Sequence, residues 1–212
     1  ALKESVLRHF YDEKDNKLYY LIDGQGKPYS FQEGLGYSFA LIFGILNTQQ
    51  AVALIKNTNV SDFGITALYP DFPRYSHNHP GRHNNIIWPM INGFFARACI
   101  DAGDYASFEK ELDGLTSLAL DRDKGNYEFR EIYNPYAGKP DGGYQAAGRE
   151  HPDFHWNSCR MQTWSATAYI NMVLYGIAGI RADKSGIQFK PYLPSDIHYL
   201  KIKDIPYRQA VL

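Results

Sequence analysis

Glu131 sits within a loop of aromatic and small residues, Phe129-Arg130-Glu131-Ile132-Tyr133-Asn134-Pro135-Tyr136-Ala137-Gly138. Further along, Trp156-Asn157-Ser158-Cys159-Arg160-Met161-Gln162-Thr163-Trp164 leads into a helical pattern. A carboxylate held in position can give or take a proton. Tyr and Trp offer flat apolar faces with a polar tip, which suits both sugar rings and packed cores. Together these residue types point to proton transfer on a carbohydrate. The plain alternative for Glu131 is a solvated loop acid, since most acids are simply exposed.

A second group lies in Tyr75-Ser76-His77-Asn78-His79-Pro80-Gly81-Arg82-His83. Two histidines alternate and a third follows four residues on. Zinc takes such ligands, but a site also needs further ligands and a closed geometry. No H-E-x-x-H motif occurs, and H-x-H by itself specifies zinc loosely. Hydrogen bonding within a loop is the simpler reading, and no metal is expected. Cys99 falls in an apolar helical pattern and reads as core. Cys159 has no neighbour that marks it as an activated nucleophile, so both cysteines read as structural.

The formal net charge is −1 with no long basic run, which argues against nucleic acid or an anionic membrane surface as the main partner. The longest apolar run, Tyr37 to Leu46, is too short to span a bilayer. Aromatics make up 15% of the chain, which is high; such rings suit wet binding clefts as well as cores, and the majority read as packing.

Elements must place these groups. Apolar residues at Leu2, Val6, Leu7 and Phe10 have a helical period. Leu18 to Ile22 reads as a short strand, closed by Asp23-Gly24 and Gly26. A helical run ends near Leu46, and Thr48 reads as the N-cap of the next helix. These two helices form an antiparallel hairpin. The segment from Phe63 to Asn85 is a long irregular loop of the kind that usually carries function. Ile86 to Ala102 reads as a buried helix with Trp88-Pro89 in its first turn. Gly103-Asp104 breaks it, and a partner helix runs from Tyr105 to about Leu120. Met161 to Ile180 reads as a long apolar helix. Beyond it, Gly186 to Pro191 and Tyr199 to Lys203 alternate like strands. The chain is expected to divide into a helical part, 1–182, and a β-strand part, 183–212. The apolar pattern at Ala210-Val211-Leu212 leads to the expectation of a longer parent polypeptide.

Five motifs then occur in order: Glu33-Gly34-Leu35-Gly36, Asn84-Asn85-Ile86-Ile87-Trp88-Pro89, Glu131-Ile132-Tyr133-Asn134-Pro135 with Gly138, Gln162-Thr163-Trp164-Ser165-Ala166-Thr167, and Phe189-Lys190-Pro191-Tyr192-Leu193-Pro194. The series resembles the C-terminal half of glycoside hydrolases with an (α/α)6 toroid. The nearest groups in pattern are the clan of trehalase, processing α-glucosidase I and mannosylglycerate hydrolase, and amylo-α-1,6-glucosidase-like relatives. The resemblance implies a mainly α fold, the C-terminal part of a toroid built from helical hairpins, followed by the first strands of a β-sandwich.

It also implies inverting hydrolysis of an α-linked glucoside or mannoside. In that chemistry one carboxylic acid protonates the leaving oxygen. A carboxylate roughly 6.5–9.5 Å away activates water. Glu131 matches the family's general base; no residue here matches its general acid. Glu33 is the best spare, with helix-start electrostatics as its plain alternative. The resemblance places His83 and Asn84 on the pocket rim, and Arg160 and Gln162 at the head of a helix where they can bond hydroxyls. Arg160 can instead pair with a carboxylate and fix the Glu131 loop. Trp88, Trp164 and Trp156 can stack on sugar or anchor helix starts. Tyr133 and Tyr144 flank the loop and can equally be packing. The expected partners are a carbohydrate substrate and the rest of the parent polypeptide, with no cofactor. Two other readings stay open: a carbohydrate-binding or scaffold module without catalysis, and a zinc-dependent α-toroid enzyme.

Overall fold

The structure is a computed structural model that describes residues 1–121 and 126–211. Leu212, the end of the apolar pattern noted above, lies outside them. Among the described residues there are six α-helices: α1 (Leu2–Phe10), α2 (Gly34–Ile42), α3 (Thr48–Asn57), α4 (Pro89–Ala102), α5 (Tyr105–Ala119) and α6 (Thr163–Asn171). Loops and two- or three-residue strand pairs, all antiparallel, link them.

The toroid expectation is overturned. Helix makes up 35% and strand 18%, with several small antiparallel sheets, which is not a clear (α/α)6 toroid. The helices gather around α4, which packs against α2, α3, α5 and α6. The reason lies in the α4 sequence. Ile91, Asn92, Gly93, Phe95, Ala96, Ala98, Cys99 and Ile100 are all buried, so this helix is covered on nearly every side. A helix that is apolar all round sits at the centre of a core. α1, by contrast, has no buried residue. Gly93 lets α6 close on α4: a Cβ there would lie 2.7 Å from Ala168 Cβ.

The β-sandwich expectation is also not met. Ile180–Ala182 pairs with Ile187–Phe189, and Pro206–Tyr207 with Ala210–Val211, as separate two-stranded ribbons. Tyr199 to Lys203 is not a strand. The first of these ribbons crosses the expected 182/183 boundary, and Tyr192 and Ile197 pack against the main core.

Other differences are local. Asn47, not Thr48, caps α3, in a reciprocal capping box with Gln50; an Asn side chain satisfies the exposed N–H groups of a first turn well. Leu18 to Ile22 is two strand pieces, because Lys17–Leu18 pairs back to Tyr11–Asp12 and Leu21–Ile22 pairs forward to Pro28–Tyr29. The long final helix starts at Thr163 and turns into a π-helix over Met172–Ile177.

A buried carboxylate ties three elements together. Glu111 on α5 is fully buried. It accepts the Ile65 backbone N–H (2.9 and 3.1 Å to its two oxygens) and the Asn92 side-chain amide of α4 at 2.8 Å. Burial pushes its carboxyl up to about 7, against the lowering effect of those bonds.

Candidate functional site

Glu131 sits on a strip of chain laid across the start of α6. Its N–H donates to Cys159 O at 3.0 Å. The next residue is clasped by Ser158, whose hydroxyl accepts Ile132 N–H (3.0 Å) and donates to Ile132 O (2.7 Å). Ser165 donates to Arg130 O at 2.8 Å, and Gln162 N–H to Phe129 O at 2.8 Å. On the other side Tyr133 and Ile87 exchange two backbone bonds of 2.9 and 3.0 Å. The 129–133 strip is therefore bridged between the entry to α4 and the entry to α6.

The side chain of Glu131 is 9% exposed. The solvated-loop alternative does not describe it. Oε1 accepts from Arg82 Nη2 at 2.9 Å, while Oε2 is buried with no hydrogen-bond partner among the described residues. An ionised carboxylate this far from water needs a compensating charge, and Arg82 supplies it. Arg82 was hidden in the sequence, where it appeared only as a neighbour of the histidines. The two residues are 49 positions apart, so nothing local signalled the pair.

Trp88 is buried as the N-cap position of α4 and donates its indole N–H to Arg82 O at 2.9 Å. His83 lies nearly parallel over the Trp88 ring, with centroids 5.2 Å apart. Burial and the Arg82 charge lower the His83 pKa, opposed by Glu131. His83, Trp88, Glu33, Tyr20 and Met90 line one cleft of about 310 Å³. Met90 also lines a neighbouring groove of about 510 Å³, formed with Phe94, Gln162, Trp164 and Asn171 between α4 and α6. Trp164 is exposed and stands 6.1 Å from Trp88, centroid to centroid. The anchor reading fits Trp88; Trp164 and His83 have rings open to a ligand.

The side chains of the remaining expected site residues are engaged in structural contacts. Glu33 caps α2, its Oε1 accepting Leu35 N–H (3.2 Å) and Oε2 accepting Gly36 N–H (2.5 Å). Burial raises its pKa, and the two backbone bonds counter that. Both oxygens are occupied by helix capping, the plain alternative. Arg160 grips Glu128, at 3.0 and 3.1 Å to its two oxygens, rather than facing a cleft. Tyr133 is fully buried; its hydroxyl accepts Arg130 N–H at 2.7 Å. Asn84 is also buried, and its carbonyl accepts Phe72 N–H at 3.1 Å. Tyr144 is sandwiched between His79 and His155, centroids 3.6 and 4.2 Å away.

The histidines diverge. His77 stacks on Tyr136, His79 on Tyr144 and His83 on Trp88. Among the described residues no group of three His, Cys, Asp or Glu side chains is arranged to hold a metal ion.

No protein-family model matches this chain, and no curated protein matches it. Among solved structures it is similar to the crystal structure of an uncharacterized conserved protein from Thermus thermophilus, at 20% identity and a TM-score of 0.57. That likeness covers 80% of this chain and 37% of the other, so this chain spans little more than a third of that protein's length. At such identity the likeness carries the fold alone.

Proposed function

We propose that this chain carries the general-base half of a glycoside hydrolase site, acting by inversion on an α-linked glucoside or mannoside. One observation carries the reading. Glu131 is a buried carboxylate with one oxygen held by Arg82 and the other without a hydrogen-bond partner among the described residues. A general base needs an ionised group with a free lone pair directed at the proton it takes. Arg82 holds Oε1, which leaves Oε2 as the oxygen with a lone pair to accept a proton. The water so activated attacks the anomeric carbon on the face opposite the leaving oxygen. The exposed ring of Trp164 and the cleft-lining His83 offer apolar faces of the kind sugars stack on.

The general acid has no assigned residue here, since Glu33 is committed to capping α2. Substrates with nitrophenolate leaving groups need little acid assistance, and they test the base alone. With 4-nitrophenyl α-glucoside and α-mannoside, Glu131→Gln is expected to lower kcat by about 10²–10⁴-fold, the usual range for such a group. Sugar binding, measured by calorimetry, is expected to survive. Turnover equal to the wild type would sink the assignment. Binding with no turnover by the wild type would replace it with a carbohydrate-binding module.

A further inference from the structure

We propose that Arg82 is a positioning residue for Glu131, held in place by the 141–156 segment; this rests on the general-base reading above. The guanidinium is fixed at both ends of its fork. Nη2 donates to Glu131 Oε1 and Nη1 to Gly142 O, each at 2.9 Å. Two indole rings flank it, with Trp88 and Trp156 centroids 5.3 and 5.1 Å from the guanidinium carbon. The main chain is pinned as well: Arg82 N–H donates to Tyr144 O at 2.8 Å, and Arg82 O accepts the Trp88 indole N–H.

A short antiparallel ribbon, Tyr144–Gln145 with Phe154–His155, organises this grip. Gly142 and Gly143 enter it and Trp156 leaves it, with Trp156 N–H donating to Gly143 O at 3.0 Å. Gly143 has a positive φ of 71°, and a Cβ there would lie 2.5 Å from Arg82 Cα. The segment therefore closes on Arg82 at backbone distance, and a larger residue would push it away.

The consequence falls on Glu131. A carboxylate is planar, so fixing Oε1 from one side sets the direction in which Oε2 points. Arg is suited to this because its planar fork engages two acceptors at once, and a Lys ammonium cannot reproduce that geometry. Among the described residues Arg82 is ion-paired with Glu131 and with no second carboxylate.

The test uses the full chain and 4-nitrophenyl α-glucoside and α-mannoside. Arg82→Ala is expected to lower kcat by about 10²-fold, within the range set by the base itself, with KM little changed. Millimolar guanidinium is expected to restore much of that loss in Arg82→Ala and none in Glu131→Gln. Arg82→Lys should fall between the wild type and Arg82→Ala, and Trp156→Ala should lower kcat several-fold. Wild-type kcat in Arg82→Ala, with Glu131→Gln inactive, would overturn the positioning role and leave the base reading intact. If Arg82→Ala fails to fold by circular dichroism, Arg82→Lys decides: reduced kcat at unchanged KM supports the role, and wild-type kcat ends it. Should the glycosidase reading itself fail, a crystal structure of Arg82→Lys still decides. A turned Glu131 carboxylate supports the positioning role, and an unmoved one overturns it.

Discussion

Tyr133 lies two positions from Glu131, in the same motif, yet its environment is quite different. It has no exposed surface, and its hydroxyl accepts Arg130 N–H and donates to Glu128 O at 3.4 Å. Tyr133→Phe is therefore expected to cost about 1–2 kcal/mol of stability, the loss of a buried hydrogen bond, and to leave KM for sugars unchanged. Urea denaturation and steady-state kinetics check this; a raised KM would mean that the ring touches substrate. The residue types around Glu131 put an acid and aromatic rings in one stretch of chain. They did not show which ring is wall and which is open. Trp88 and Trp164 have the same chemistry, but only packing buries the first and leaves the second 42% exposed. Arg160 and Arg82 were likewise equal as letters. Arg160 meets Glu128 and Arg82 meets Glu131, because the 129–133 strip has residues 158–165 on one side and the entry to α4 on the other.

At the scale of elements, Glu111 joins α4, α5 and the strand Gly64–Ile65 through its bonds to Asn92 and Ile65. Its carboxyl is raised in the fold from the ordinary 4.5 to about 7. The native state therefore holds this proton more tightly than the unfolded chain does. That contribution to stability is fully present below pH 4.5 and is lost as pH rises through 7. A displacement of that size is worth about 3 kcal/mol. Relative to Glu111→Gln, the wild type is expected to lose about that much stability between about pH 4.5 and about pH 8. Urea titrations of both proteins at the two pH values check it, and parallel curves would sink it. Cys99 and most of α4 were legible from periodicity alone, as was the break at Gly103, whose φ is 78°. The buried acid on α5 was not. The sequence places Glu111 in a pattern where an acid normally faces water, and its partners are 19 and 46 residues away.

For the whole molecule, the arrangement about α4 orders the expected stability of the parts. α1 has no buried residue, whereas Phe95, Ala96 and Cys99 of α4 are fully buried. Hydrogen exchange followed by mass spectrometry is expected to label α1 first and α4 last, since opening free energy follows burial and protected bonding. Early labelling of α4 would contradict a core centred on it. Local pattern by itself determined where most helices lie, that α4 is buried, and that an acid, aromatic rings and a histidine-rich loop are the chemically distinctive residues. These depend on period, caps and side-chain type, which are written into short stretches of chain. Only the tertiary structure decided that the helices cluster around α4 instead of closing a toroid. The same is true of the separate C-terminal ribbons, the scattering of the histidines onto three different rings, and the pairing of Glu131 with Arg82. The packing about α4, the stacks of His77 and His79 and the Glu131–Arg82 pair depend on contacts between residues far apart in sequence, and the identity of a residue does not reveal which distant surface will cover it.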